Sequence, residues 1–156
     1  MGNRRGVAVP GPEAGFTLVE LLTVLVVLGI LAAVVAPRLI GGAFETLGFA
    51  DETRAVLRYA RGSALAMQRT VCVGFTASSV TLTYASAYGA PACDTGLPAP
   101  SGTPVPYAIS ARGPAAFAPV PANFSYDRLG RPSAGQVISV SGAQAIRVEA
   151  ETGYVY

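Results

Sequence analysis

The apolar run over residues 16–36 constrains this chain more than any other feature of the sequence. The run carries one charged residue, Glu20. As a helix rising about 1.5 Å per residue, it is about 31 Å long, which matches the hydrocarbon thickness of a bilayer. The sequence therefore predicts a membrane-spanning helix over residues 16–40, and Arg4 and Arg5 before it favour a cytoplasmic N-terminus. Because an unpaired carboxylate in lipid costs about 3 kcal/mol, Glu20 requires a cation nearby.

Three interpretations of this segment differ in where the chain is cut. A secretory signal is cleaved after its apolar core, here near Ala36, although this run is longer than such cores usually are. A permanent, uncut anchor leaves Glu20 without a partner. Cleavage between Gly15 and Phe16 removes residues 1–15 and converts the Phe16 nitrogen into an ammonium group one helical turn from Glu20. That group can pair with Glu20 in the same chain or in a neighbouring one.

Residues 15–20 read GFTLVE and are followed by the apolar run, an order that resembles the class III signal of type IV pilins and type II secretion pseudopilins. The resemblance implies that a prepilin peptidase cuts after Gly15 and N-methylates Phe16. It implies a single-pass inner-membrane protein with a periplasmic head. An assembly platform then moves this protein into a filament of pilin or pseudopilin subunits, in the periplasm or at the cell surface. There Glu20 would meet the Phe16 amine of an adjacent subunit, and Pro37 is expected to kink the helix.

Composition argues against an enzyme. The chain has no histidine, which removes the commonest general base and metal ligand. No glycine-rich turn lies between a strand and a helix, and the acidic residues are scattered, so we expect no nucleotide, cofactor, metal or catalytic carboxylate pair.

The two cysteines, Cys72 and Cys93, cannot make a four-ligand zinc site. Outside the cytoplasm they can close a loop of about 20 residues, worth about 3 kcal/mol. Otherwise Cys72 is a buried strand thiol and Cys93 a loop thiol.

Residues 41–156 are predicted to form an amphipathic helix and a β-rich head. Apolar residues recur every three or four positions over residues 50–69, which indicates a helix, whereas three glycines weaken the helical pattern over residues 39–49. Beyond the helix the period changes to two. The predicted elements are a hairpin (71–76 and 80–84), a long loop (85–106), a short strand (107–110) and an antiparallel meander (123–127, 136–140, 144–149 and 153–156). The predicted fold class is α+β, with a long N-terminal helix packed on an antiparallel sheet.

Three arginines, Arg54, Arg58 and Arg61, share one helical face. They form either a basic strip that binds phosphates or an acidic partner, or a solvated surface.

The order of elements resembles the GspH/FimT-type minor pilins, some of which bind DNA through an arginine-bearing tail. The last predicted strand ends at Tyr156 without a basic tail, and the net charge of +2 is small, so the sequence gives DNA binding no support. The resemblance implies a filament subunit serving DNA uptake, adhesion, motility or protein secretion. The alternative is an uncut, anchored extracytoplasmic binding module whose contact surface is the loop over residues 85–106.

Overall fold

A computed structural model describes residues 15–156, apart from the side chains of residues 34–41. Residues 1–14 of the predicted leader lie outside this description, as does the side chain of Pro37 with its predicted kink. The chain divides between Arg38 and Leu39 into two units, which are described separately.

Helix α1 spans Leu18–Met67. Thr17 caps its start: the Glu20 N–H donates to Thr17 Oγ1 over 3.2 Å, and the Leu21 N–H donates to the Thr17 carbonyl oxygen over 3.1 Å. Within the residues that the structure describes, no helix combines the length and the hydropathy needed to cross a membrane. The span predicted over residues 16–40 includes side chains outside the description and stays a prediction.

The second part of α1 forms one wall of the hydrophobic core. Its glycine-containing stretch remains helical, and the helix predicted over residues 50–69 is confirmed to Met67. Gln68 then takes a left-handed φ of 55°, which ends the helix. The buried polar Thr53 satisfies its hydroxyl by donating to the Phe49 carbonyl oxygen over 2.7 Å. The residues buried along this wall recur at helical spacing: Phe49, Ala50, Thr53, Val56, Leu57, Ala60 and Ala64.

A five-stranded antiparallel sheet packs on this wall, in the order β3-β2-β1-β5 with β4 also paired to β2. The predicted hairpin is confirmed, with Val73 opposite Leu82. Alternate residues of β1, β2 and β5 face the helix, so apolar side chains fill the space between. The strands are β1 (Val71–Phe75), β2 (Ser79–Tyr84), β3 (Thr95–Gly96), β4 (Ala108–Ser110) and β5 (Phe124–Tyr126). The α+β fold class, a helix packed on an antiparallel sheet, is therefore confirmed and matches the pilin fold.

The predicted C-terminal meander is wrong in its first pairing, whereas the antiparallel pairing of residues 136–140 with residues 144–149 is confirmed. β5 pairs with β1 instead of β6, because Phe124 belongs to the core and its ring stacks on that of Phe75, with centroids 6.1 Å apart. The strands β6 (Gln136–Ile138) and β7 (Ile146–Val148) form a separate antiparallel pair. The segment predicted as a strand over residues 153–156 pairs with β7 around a bridge between Val155 and Val148 and by backbone hydrogen bonds on either side of it.

The loop predicted over residues 85–106 contains β3, so it is not free of strand structure. Leu97 next to β3 is buried and draws this segment onto β2. Cys72 and Cys93 form a disulfide, with their Cα atoms 6.1 Å apart, which joins the loop to β1. Asp94 holds the loop to its own first residues, just beyond β2. Hydrogen bonds from the Ser86 hydroxyl and then from the Ser86 N–H lower the pKa of Asp94 to about 2.

Candidate functional site

The predicted cleavage site lies in exposed, non-helical backbone immediately before α1. Gly15, Phe16 and Thr17 have no regular secondary structure, and the Phe16 side chain is 80% exposed. A protease binds its substrate in an extended conformation, so a helical segment would first have to unwind. The bond between Gly15 and Phe16 needs no such unwinding.

Glu20 occupies the third position of α1, and its backbone N–H has a local partner, Thr17 Oγ1, that the sequence analysis missed. Thr17 and Glu20 form the Thr-x-x-Glu pattern of a capping box, a signal that was present in the sequence. A carboxylate in the first turn also interacts favourably with the helix dipole. Among the described groups of residues 15–156, which exclude the side chains of residues 34–41, none donates a hydrogen bond to the Glu20 carboxylate, so this carboxylate is open to a cation from another molecule.

The apolar run offers the same surface in every direction. Residues 15–33 are all exposed, and after Thr17, Glu20 and Thr23 of the first turns every residue from 24 to 33 is apolar or glycine. A helix that is apolar all round requires apolar surroundings on all sides. Covering one exposed Val, Leu or Ile side chain completely is favourable by about 1.5–3 kcal/mol relative to leaving it in water. This segment therefore has a strong tendency to be covered by lipid or by other helices.

The three arginines of the predicted basic strip are engaged in different ways. Arg54 forms an ion pair with Asp51 on the helix surface. Arg58 donates through Nε and Nη2 to the Val155 carbonyl oxygen, over 3.3 and 3.1 Å. Arg61 donates through Nε to the Thr152 carbonyl oxygen over 2.9 Å. Two of the three thus fasten residues 152–155 to α1, and a binding role for the strip stays a prediction.

Two glycines allow residues 152–155 to lie close to α1 and to residues 127–131. Gly130 and Gly153 have left-handed φ values of 72° and 67°. A Cβ atom added at Gly153 would lie 2.1 Å from the Gly130 carbonyl oxygen and 3.1 Å from the Tyr126 ring. One added at Gly130 would lie 3.1 Å from Leu65. The turns around residues 127–131 and 150–153 therefore pack backbone against backbone over α1.

Tyr126 lies beneath the contact between the Gly130 and Gly153 backbones. Its side chain is fully buried, and within residues 15–156 no hydrogen-bond partner reaches its hydroxyl. Burial raises the pKa of Tyr126 above its ordinary range, and the positive charge of Arg61 opposes that rise only in part.

The described part of the chain has an open groove but no cluster of metal ligands. Among the described residues, no three His, Cys, Asp or Glu side chains come together as metal ligands. An open groove of about 450 Å³ lies on the outer face of the five-stranded sheet, and its lining includes Thr81, Thr83 and Ser125 and contains no ionisable side chain.

Comparison with known proteins singles out the N-terminal segment. Residues 12–36 match the family described as the prokaryotic N-terminal methylation motif. The match includes the predicted cleavage site, Phe16, Glu20 and the apolar run. No curated protein and no solved structure matches the chain.

Proposed function

We propose that this chain, which carries over residues 12–36 the class III prepilin signal of the type IV pilin and pseudopilin superfamily, is a minor subunit of a type IV pilus or of a type II secretion pseudopilus. The motif itself supports a membrane-anchored structural subunit that prepilin peptidase processes and that assembles with other pilins. The match to this motif is the observation that carries the proposal.

The proposed processing step is cleavage after Gly15 and methylation of the new Phe16 amine. The exposed, non-helical backbone around this bond supports the step. Residues 16–40 then anchor the subunit in the inner membrane, with the head of residues 41–156 in the periplasm. The same residues later form the filament core, where neighbouring helices replace lipid around a surface that is apolar on every side.

In this proposal Glu20 pairs with the Phe16 ammonium group of an adjacent subunit and sets the register between the two helices. The open carboxylate supports this pairing. Pro37 permits local bending or unwinding of the helix as the subunit leaves the membrane.

The finer assignment is to GspH/FimT-type subunits, because a hairpin follows the long helix directly and further strands complete the head. Such a subunit would serve DNA uptake, adhesion, motility or protein secretion. Gene deletion separates these roles: loss of surface pili or of DNA uptake favours the pilus, and retention of secreted proteins in the periplasm favours the pseudopilus.

Mass spectrometry of the protein isolated from cells tests the proposal. We expect a chain that begins at Phe16 and carries one additional methyl group on its terminal nitrogen. A strain without prepilin peptidase should retain residues 1–15 and serves as the control. If residues 1–15 remain attached in the wild-type strain, the chain is an uncut, anchored binding module and the filament proposal is wrong.

A further inference from the structure

Five exposed side chains form one face of the C-terminal strands, which we call the C-terminal patch. Three of them are large and apolar yet lie in solvent: Val137 is 58% exposed, Tyr154 59% and Tyr156 51%. The other two are Arg147 and Glu149, which are also exposed. Tyrosine and arginine are the residue types that dominate binding energy at protein interfaces.

The backbone register brings these side chains together. Val137 pairs with Arg147 across β6 and β7. Arg147 and Tyr156 exchange backbone hydrogen bonds of 2.8 and 3.1 Å, and the Glu149 N–H donates to the Tyr154 carbonyl oxygen over 2.9 Å. Alternation along each strand places all five side chains on the face opposite the core. The rings of the two tyrosines stack, with centroids 6.0 Å apart and an interplanar angle of 24°.

The two charges on the patch determine which occupant fits. If a second copy stacked face to face with β7 parallel, Arg147 would face Arg147 and Glu149 would face Glu149. With β7 antiparallel, a two-fold axis at Val148 places Arg147 of each copy opposite Glu149 of the other. The patch is therefore complementary to itself in one orientation, as a two-fold symmetric interface requires.

We infer that a second copy of this chain docks on the C-terminal patch, with β7 antiparallel and with two reciprocal ion pairs between Arg147 and Glu149. This inference goes beyond the proposed function, because assembly through the apolar helices does not require any contact at the C-terminal patch. Five side chains cover less than the about 800 Å² per partner of a standard interface, so the contact is weak in free solution. Only its strength in the cell rests on the proposed function, since anchoring in one membrane raises the effective concentration of the heads.

Photo-crosslinking of the full chain in membranes tests this contact. Val137→p-benzoylphenylalanine places a photoreactive group on the patch. After irradiation we expect an adduct with twice the mass of one chain. The matched control is Val105→p-benzoylphenylalanine, because Val105 is similarly exposed, at 57%, but lies in the loop between β3 and β4. The control should give at least tenfold less of this adduct.

Charge reversal in the Val137 crosslinking background tests the orientation. Arg147→Glu and Glu149→Arg should each reduce the adduct at least fivefold, because each places like charges opposite one another. When the two variants are co-expressed with different tags, the adduct should return and should contain one chain of each kind. Formation of the disulfide between Cys72 and Cys93, seen on a non-reducing gel, shows that each variant head has folded.

Three outcomes would overturn the inference: charge reversal leaves the adduct unchanged, the mixed variants fail to restore it, or Val137 crosslinks to a different protein. The N-terminal mass of the same samples separates this inference from the proposed function. A chain that begins at methylated Phe16 but gives no adduct contradicts head pairing alone. A chain that keeps residues 1–15 contradicts the filament subunit, whatever the heads do.

Discussion

At the level of single residues, the head depends on two glycines at which a larger residue does not fit. Gly130 and Gly153 touch through their backbones, and Tyr126 fills the space beneath them. The left-handed φ of each glycine costs a side chain free energy in addition to any steric clash. These positions are therefore more sensitive to substitution than the exposed glycines elsewhere in the head.

We expect Gly153→Ala to lower the free energy of unfolding by about 3 kcal/mol or more, because the new Cβ combines backbone strain with a clash against the Gly130 carbonyl oxygen. Gly89 is the matched control: its φ is 77°, and nothing lies within 4 Å of an added Cβ. Gly89→Ala should lose only about 1 kcal/mol. Thermal unfolding of the full chain in detergent measures both, and equal losses would show that the clash is relieved elsewhere.

Tyr126→Phe removes a hydroxyl that is buried without a partner, so at pH 7 we expect a stability equal to that of the wild type or about 1 kcal/mol higher. The pKa of Tyr126 is raised in the folded state above its ordinary value of 10.0. As the pH rises past 10, this tyrosine ionises only in the unfolded chain, and wild-type stability falls by about 1.4 kcal/mol per pH unit.

The Tyr126→Phe variant should lack that alkaline loss. Unfolding temperatures at pH 7 and pH 11 measure the effect, with Tyr154→Phe as the control because Tyr154 is exposed. The control should lose stability at pH 11 as the wild type does. If both variants lose it equally, burial of Tyr126 is not the cause.

At the level of elements, α1 anchors the end of the second sheet by hydrogen bonds as well as by packing. Arg58 and Arg61 reach carbonyl oxygens 97 and 91 residues further along the chain. The Val155 carbonyl oxygen points away from β7, on the open side of the strand, where Arg58 covers it. An edge so covered is less able to pair with another chain.

We expect Arg58→Ala to lower the free energy of unfolding by about 1–2 kcal/mol, because it leaves a partly buried carbonyl oxygen without its charged donor, and Arg61→Ala by about 1 kcal/mol, because its acceptor is exposed. Arg54→Ala is the matched control on the same helix face. Its exposed ion pair with Asp51 should contribute less than about 0.5 kcal/mol. Thermal unfolding compares the three variants, and a basic strip that only binds a ligand would show three small and equal effects.

At the level of the whole molecule, Glu20 has two candidate roles, capping of α1 and charge pairing between subunits. Substitutions can separate these roles. The Glu20 N–H forms one half of a capping box with Thr17, and the Glu20 side chain can supply the other half by accepting from the Thr17 N–H. As a charge, it would pair with the Phe16 ammonium group of a neighbouring subunit. Glutamine serves a capping box as well as glutamate does, but it carries no charge.

We expect both Glu20→Gln and Glu20→Val to be cleaved after Gly15 as the wild type is, and both to be incorporated into filaments at least tenfold less. The amount of variant chain in sheared or pelleted filaments, relative to the processed chain in the membrane, measures incorporation. If Glu20→Gln is incorporated normally and Glu20→Val is not, capping rather than charge explains the residue.

Local patterns in the sequence predicted the elements better than their pairing. Periods of three to four and of two indicated the second part of α1 and the hairpin of β1 and β2, because each pattern depends only on which face is buried. The pairing of β5 with β1 depends on which strand Phe124 and Tyr126 can join while remaining in the core. That choice involves residues about fifty positions apart.

At the candidate site, too, local features were readable in the sequence and long-range contacts were not. The Thr-x-x-Glu pattern was readable in the sequence, and the chemistry of a lone carboxylate in an apolar run indicated the cleavage site. The anchoring by Arg58 and Arg61 was not readable, since their acceptors are backbone carbonyl oxygens that any residue supplies. The predicted meander included the three consecutive segments of the C-terminal patch, but their exact register, which brings the five side chains together, was not readable.

The attachment of Arg58 to Val155 has a consequence for the order of events during synthesis. A ribosome produces the helix early, and nearly a hundred further residues must emerge before the acceptor carbonyl exists. Until then Leu57, Ala60 and their neighbours have no complete cover, so the nascent head exposes a sticky apolar wall. The head therefore completes its packing only after residue 155 has left the ribosome, however early the helix forms.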